Sequence, residues 1–149
     1  MITNERQYAI TRAAVARFAE ALDALDQRTE LPTAQRDFER SGIRAQLDDL
    51  RAELAHFEAL RDGHVREVPI RSLLDVPRAL IRARVAAGLT QKQLAERLGV
   101  REQQVQQDEA TQYAGAGLER IHAIAAVLGV TFRGTADLPE SGALPTVPS

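Results

Sequence analysis

Side chains that could act as catalysts or metal ligands are few and scattered along this chain. The three histidines, His56, His64 and His122, lie far apart, and none has a carboxylate at metal-ligand spacing. The four serines lack a glycine-flanked elbow, and there is no cysteine to supply a thiolate or a zinc ligand. We therefore expect no enzymatic activity, no metal site and no cofactor.

The most informative spacing runs from Gly88 to Val105. Thr90 precedes Gln93 by three residues, so the two can form a capping box that begins a short helix. Gly99 can end that helix in a left-handed conformation. Ala95 must be small because the next helix crosses over it, and a shared core would take the apolar side chains of Leu94, Leu98, Val100 and Val105. The pattern predicts a tight helix–turn–helix whose second helix projects outward.

The elements that position this corner are predicted to be helical, because aromatic residues make up only 4% of the chain and prolines number six. The fold class is therefore all-α. In residues 1–63, two apolar seams repeat at steps of three and four residues. The first seam contains Tyr8, Thr11, Val15, Phe18, Leu22 and Leu25, and the second contains Ile43, Leu47, Leu50, Leu54 and Phe57. They predict an antiparallel, coiled-coil-like helical hairpin.

The turn signals set the limits of these elements. Leu31-Pro32 and Ser41-Gly42 predict a connection from Gln27 to Ser41, with at most a helical turn around Phe38. The second helix should stop at Asp62-Gly63. Residues 64–75 read as an extended linker or a short strand, residues 76–132 as a compact helical domain, and residues 133–149 as a flexible tail.

Charge follows these boundaries. The whole chain has 19 basic and 21 acidic side chains, so no overall field points to a nucleic-acid partner. Residues 76–130 hold 7 basic and 5 acidic side chains, which makes them the only basic part. No apolar run reaches the roughly 18 residues of a membrane span, and the first residues lack a signal-peptide core. We expect a cytoplasmic protein without a membrane partner.

The residues from Pro77 to Val130 resemble the Cro- and phage-repressor-like helix-turn-helix family, also called the Xre family. The likeness runs through LIRARVAAGLTQKQLAERLGV, the next helix ending at Glu109, and the packing helix LERIHAIAAVLGV. Many members are transcriptional regulators, and others are antitoxins such as those of the HigA type. The resemblance implies a four- to five-helix domain that dimerises and lays its third helix in the major groove of double-stranded DNA.

The resemblance assigns base contacts to the exposed face of that third helix, at Glu102, Gln103, Gln106 and Gln107. A glutamine amide can bond adenine at two atoms, and a glutamate can accept from the amino group of cytosine. A solvated polar helix face is the plain alternative for these four residues.

The resemblance also assigns phosphate contacts near the starts of helices, at Thr90, Gln91, Lys92, Arg101 and Gly117. For Gly117, which follows Gly115-Ala116, a tight turn explains the glycine equally well. Arg84 and Glu109 match family positions that commonly form a buried ion pair, so a structural role is expected for both.

Two residues depart from the family pattern. Arg101 stands where the family usually has a capping Ser or Thr, and Asp108 stands where it usually has an apolar or aromatic side chain. We expect Asp108 at the edge of the core near Leu80 and Arg84, where it competes with Glu109 for one guanidinium. A poorly compensated acid lowers stability, so replacing Asp108 with tyrosine is expected to raise stability and to tighten DNA binding.

Two hypotheses of function remain open. The first is a sequence-specific DNA-binding regulator, a homodimer whose N-terminal hairpin supplies dimerisation or partner binding. The second is an antitoxin-like or adaptor module, in which the hairpin binds a toxin or another protein and acidic residues have weakened DNA binding. The dimer is expected because the two apolar seams exceed what one thin hairpin can bury.

Overall fold

The computed structural model describes residues 1–144, and every regular element within this range is helical. Two long helices come first, α1 at Glu5–Asp26 and α2 at Thr33–Arg61. A 3-10 turn at Leu73–Asp75 precedes four shorter helices: α3 at Val76–Ala86, α4 at Gln91–Leu98, α5 at Glu102–Ala110 and α6 at Leu118–Leu128. The all-α fold class is confirmed. None of these helices is both long and apolar enough to cross a membrane.

Local sequence explains where the hairpin begins and ends. Asn4 has extended backbone, and its side-chain oxygen accepts a hydrogen bond from the N–H of Gln7 at 2.9 Å. This bond satisfies one of the backbone donors left free at a helix start. Gly63 follows α2 with a φ of 75°, which glycine adopts without a steric penalty. The predicted stop at Asp62-Gly63 is confirmed.

α2 begins much earlier than the turn signals predict. The predicted connection from Gln27 to Ser41 is wrong in its second part, because only residues 27–32 lie between the two helices. The Ser41 hydroxyl donates to the carbonyl oxygen of Asp37 at 2.9 Å, so it finds an acceptor one turn earlier in the same helix. Gly42 disfavours a helix by only about 1 kcal/mol, and packing along the 29-residue helix outweighs that amount.

α1 and α2 pack side by side as an antiparallel hairpin. Near one end the Tyr8 hydroxyl donates to a carboxylate oxygen of Glu58 at 2.6 Å, and near the other end Arg40 pairs with Asp26. The fully buried apolar side chains of the two helices are Leu25, Leu47, Leu54, Phe57 and Leu60. The predicted hairpin is confirmed, although Leu25 alone of the α1 seam is fully covered.

Residues 64–72 connect the hairpin to the shorter helices without forming a strand. The alternative of a short strand is wrong, because residues 1–144 contain no strand with which this segment could pair. Ser72 ends this linker and caps the 3-10 turn, where its hydroxyl accepts from the N–H of Leu74 at 3.2 Å. The carboxylate of Asp75 accepts in return from the N–H of Ser72 at 2.9 Å.

The four shorter helices enclose two adjoining apolar clusters. The first lies between α3 and α6 and contains Leu80, Ile81, Tyr113, Ile124 and Ala125. The second lies between α4 and α5 and contains Leu94, Ala95 and Val105. Leu98 and Leu128 pack against both clusters and join them. This core fixes the direction in which α5 projects.

The hairpin packs directly against the shorter helices. A single buried cluster contains Ile2, Leu54, Phe57, Leu60 and Val85, so it joins the N-terminal segment, α2 and α3. The N-terminal segment is thereby held beside the end of α3.

After α6 the chain forms no helix or strand as far as residue 144. The side chains of residues 131–144 are all exposed. The predicted flexible tail covers residues 133–149, of which residues 145–149 lie outside the described range. The proposed domain limits at residues 63, 75 and 132 stay predictions.

Candidate nucleic-acid interface

The corner between α4 and α5 has the geometry that its residue types predict. The Thr90 hydroxyl accepts from the N–H of Gln93 at 3.1 Å, and the Gln93 side chain accepts from the N–H of Thr90 at 2.9 Å. Gly99 ends α4 with a φ of 68°. Ala95 and Val105 are 2% and 1% exposed, so the two helices meet closely there. Both ends of α4 are capped and its apolar contacts with α5 are made, so the angle between the two helices is fixed.

The outward face of α5 is polar and open to solvent. All four side chains assigned to base contacts are exposed there: Glu102, Gln103, Gln106 and Gln107. The Gln106 amide donates to a carboxylate oxygen of Glu102 at 3.1 Å, which uses one donor of the amide. Gln103 and Gln107 make no side-chain hydrogen bond to another residue in the described range, so their amides are free to bind a ligand.

The side chains at the start of α4 divide into two groups. Thr90 serves as the cap, and Lys92 is exposed. Gln91 is half-buried, and its amide donates to a carboxylate oxygen of Glu109 at 2.8 Å. A phosphate at this helix start would therefore meet the backbone N–H groups and Lys92, while Gln91 is held by the interior.

The other residues assigned to phosphate contacts lie at the starts of neighbouring helices. Arg101 precedes α5, is exposed, and provides no side-chain cap. Gly117 precedes α6 and has no side chain with which to cap it, so it supplies no side-chain oxygen to the first N–H groups of α6. Both helix starts present free backbone donors, as an anion site requires.

Arg84 and Glu109 form a buried, two-bond ion pair that joins α3 to α5. The Nε–H of Arg84 donates to Oε1 of Glu109 at 2.5 Å, and an Nη2–H donates to Oε2 at 2.7 Å. Their side chains are 2% and 3% exposed. A further Nη1–H donates to the carbonyl oxygen of Leu89 at 2.8 Å, at the turn before α4. This pair fixes the spacing of the three helices.

The N-terminal segment completes this network. An Nη2–H of Arg84 donates to the carbonyl oxygen of Thr3 at 2.6 Å, so four of the five guanidinium N–H groups are used. A groove of about 570 Å³ opens between residues 3–6 and the starts of α4 and α5. Arg6 lines this groove together with Glu102 and Gln106. Sequence reasoning missed this arrangement, because a backbone carbonyl 81 residues away leaves no local signal.

The expected competition of Asp108 with Glu109 for Arg84 is wrong, because the carboxylate of Asp108 has its own partners. The Nε–H of Arg120 on α6 donates to Oδ2 of Asp108 at 2.9 Å, and an Nη2–H of Arg120 also donates to it. The Gln104 amide donates to the other oxygen at 2.9 Å. Asp108 is therefore a link between α5 and α6 and does not compete for Arg84. The spacing of Gln104 and Asp108 by four residues was a readable helical signal.

A buried tyrosine lies just after the end of α5. Tyr113 is 5% exposed and has a φ of 56°, an unusual value for a residue with a side chain. Burial raises the pKa of its phenol, and the carboxylates of Glu109 and Asp108 raise it further. The phenol therefore stays neutral at physiological pH, and the ring fills the core between α3 and α6.

Comparison with known proteins tests this corner independently. A family model described as helix-turn-helix matches residues 80–134. Residues 80–134 form a helix-turn-helix domain. Domains of this family bind DNA, and the match supports the resemblance of this region to the Cro- and phage-repressor-like family. No curated protein and no solved structure matches the chain.

The helix-turn-helix domain spans most of α3 and all of α4, α5 and α6. The hairpin and the linker lie outside the matched residues. The predicted helix-turn-helix is confirmed, whereas the roles of the individual site residues stay predictions.

Proposed function

We propose that this protein is a sequence-specific DNA-binding transcriptional regulator that acts as a homodimer. The observation that carries the proposal is the exposed polar face of α5. The capped helix α4 and its contacts with α5 direct this face toward solvent within a helix-turn-helix domain. In such domains the second helix of the motif enters the major groove, and its side chains reach the base edges. α5 takes that role here.

Gln103 and Gln107 are the strongest candidates for reading bases. Their exposed amides can each donate to and accept from adenine in the major groove. Glu102 is suited to accept from the amino group of cytosine, and Gln106 supports it through their mutual hydrogen bond. The face therefore offers both donors and acceptors, which is what base discrimination needs.

Positioning on the DNA backbone is assigned to the groups that surround α5. Lys92 and Arg101 supply positive charge, and the starts of α4 and α6 supply backbone N–H groups near Thr90 and Gly117. Arg6 adds a further positive charge from the N-terminal segment, on the same groove as Glu102. Gln91 contributes indirectly, by holding Glu109 at the base of the helix.

The homodimer is supported by apolar surface that one hairpin leaves uncovered. Ile10 on α1 is 57% exposed, and Phe38 in the early part of α2 is 81% exposed. Helix-turn-helix proteins use dimers to bring two reading helices to half-sites about one DNA turn apart. Sedimentation equilibrium at micromolar concentration should give twice the 16.4 kDa chain mass. A monomer with its helices intact would contradict this part of the proposal.

A second candidate is an antitoxin-like or adaptor module whose hairpin binds a toxin or another protein. The observation that favours it is the exposed acid Glu102 on the reading face. A negative charge on the surface that meets DNA is repelled by the phosphates and lowers affinity. Failure to select any DNA sequence, with the fold intact, would favour this candidate over the first.

The deciding experiment is selection of duplex DNA from a random pool, followed by anisotropy titrations of the selected and a scrambled duplex at one salt concentration. We expect Gln103→Ala and Gln107→Ala each to weaken binding to the selected duplex by about 1–3 kcal/mol and to leave the scrambled duplex almost unaffected. Lys92→Ala should weaken both and reduce the salt dependence. The matched control is Gln46→Ala, an exposed glutamine on α2. Equal losses on the two duplexes for Gln103→Ala and Gln107→Ala would contradict their assigned role.

A further inference from the structure

A second cavity lies at the other end of α3 from the DNA-facing groove. Its volume is about 280 Å³, and it is bounded by the linker at Val68 and Pro69 and by the first turns of α3. Three arginines line it: Arg71 from the linker, and Arg78 and Arg82 from α3. Arg78 and Arg82 are four residues apart, so they share one face of the helix.

These three guanidinium groups have no ion-pair partner within residues 1–144. None of them has a carboxylate oxygen within 4.0 Å, whereas Arg84 on the same helix forms an ion pair with Glu109. The Nε of Arg82 is shielded from solvent and has no hydrogen-bond acceptor. An anion beside these three guanidinium groups would supply the charge partner that residues 1–144 do not.

The one acid that lines the cavity is already engaged by backbone. The carboxylate of Asp75 accepts from the N–H groups of Arg71 and Ser72 at 2.8 and 2.9 Å. These two bonds hold the pKa of Asp75 below its usual value, so it stays ionised at neutral pH. One negative charge against three positive charges leaves an excess of two positive charges around the cavity.

We propose that this cavity binds a small phosphate-bearing dianion, either inorganic phosphate or the phosphate group of a monoester. The excess of two positive charges matches a doubly charged anion, and guanidinium groups donate to phosphate oxygens in pairs. The volume suits a small anion better than a drug-sized ligand. The bound anion connects Arg71 of the linker to Arg78 and Arg82 of α3, and thereby orders the junction between hairpin and helix-turn-helix domain.

This site is separate from the proposed DNA interface. Arg78 lies six residues before Arg84, which is about 9 Å along the helix axis. Arg84 borders the DNA-facing groove, and Arg78 borders the cavity. Anion binding therefore does not require the DNA-binding function to be correct.

The test is an NMR titration of the ¹⁵N-labelled full chain with inorganic phosphate and, separately, with ribose 5-phosphate, against sodium chloride at equal ionic strength. We expect saturable shifts of the amide signals of Arg71, Ser72 and Asp75 with both phosphates and none with chloride. The double variant Arg78→Gln/Arg82→Gln should weaken binding by about tenfold or more. The matched control is Arg12→Gln/Arg17→Gln, which removes the same charge from exposed positions on α1.

Three outcomes would overturn the proposal. The first is a shift that grows linearly without saturation, and the second is an equal loss of binding in the control variant. The third is perturbation of the same amides by a scrambled DNA duplex but not by either free phosphate, which would make the site a contact to the DNA backbone. If Arg78→Gln/Arg82→Gln fails to fold, Arg71→Gln repeats the test, because Arg71 lies outside every helix.

Discussion

The hairpin and the helix-turn-helix domain each contain an arginine–carboxylate pair that joins two helices, but the surroundings of the two pairs differ. Arg40 and Asp26 connect α2 to α1 with 34% and 45% of their side chains exposed. Arg84 and Glu109 connect α3 to α5 with 2% and 3% exposed. Water screens the first pair, whereas the second has only protein groups to satisfy it.

The apolar side chains of α1 in the hairpin are likewise less completely buried than those of the helix-turn-helix domain. In the helix-turn-helix domain, Leu80 and Leu94 are completely covered. In the hairpin, Leu25 is the one fully buried residue that α1 contributes. The domain is thus closed around an interior that tolerates few changes, while most of the apolar seam of α1 stays partly exposed. This difference predicts how strongly matched substitutions in the two regions change stability.

The largest effect is expected for Glu109→Ala. This change leaves the buried guanidinium of Arg84 without its two carboxylate bonds, and breaking a buried pair in this way lowers the free energy of unfolding by about 3–5 kcal/mol. The matched control is Asp26→Ala in the hairpin, for which a loss within about 1 kcal/mol is expected. Urea denaturation followed by circular dichroism measures both. Similar losses for the two variants would show that burial does not distinguish the pairs.

An intermediate effect is expected for Asp108→Asn, since Asp108 and Arg120 are 12% and 31% exposed. The change weakens the bonds from Arg120 and is expected to destabilise the domain by about 1–3 kcal/mol. Asp108→Tyr should also lower the melting temperature, which reverses the expectation drawn from sequence. Calorimetry of both variants, with Glu96→Gln on an exposed part of α4 as control, provides the measurement. A rise in melting temperature for Asp108→Tyr would restore the original expectation.

The smallest effect is expected where the hairpin meets α3. Burial lowers the pKa of His56 on α2, and the positive charge of Arg82 lowers it further. Its Nε2 is shielded and has no hydrogen-bond partner. The pKa of His56 is thus lower in the folded protein than its value of about 6.5 in the unfolded chain. Its contribution to the free energy of unfolding is therefore fully present above about pH 6.5. That contribution is lost as the pH falls from about 6.5 through the folded pKa.

The measurement is the free energy of unfolding between pH 7.5 and pH 5.5. His56→Gln should make the decline shallower, whereas His122→Gln, at an exposed site on α6, should leave it unchanged. An identical decline in all three proteins would assign the pH dependence to other groups.

The sequence by itself determined those features that depend on neighbouring residues. The capping box of Thr90 and Gln93, the left-handed Gly99 and the small Ala95 each act within a few residues, so their types and spacing were sufficient to predict the corner. The polar face of α5 was likewise readable, because residues three and four apart share one side of a helix. The helix-turn-helix match confirms that region.

Only the tertiary structure decided which distant groups meet. Arg120 on α6 donates to Asp108 on α5. The carbonyl oxygen of Thr3 accepts from Arg84, which lies 81 residues later in the sequence, after the whole hairpin. Ser41 and Gly42 stayed helical although they resemble a turn, because packing along α2 contributes more than their local preference. Such partners are set by the free energy of the complete interior, in which most buried polar groups pair with an acceptor or a donor wherever the chain brings one. Local spacing carries no information on that choice.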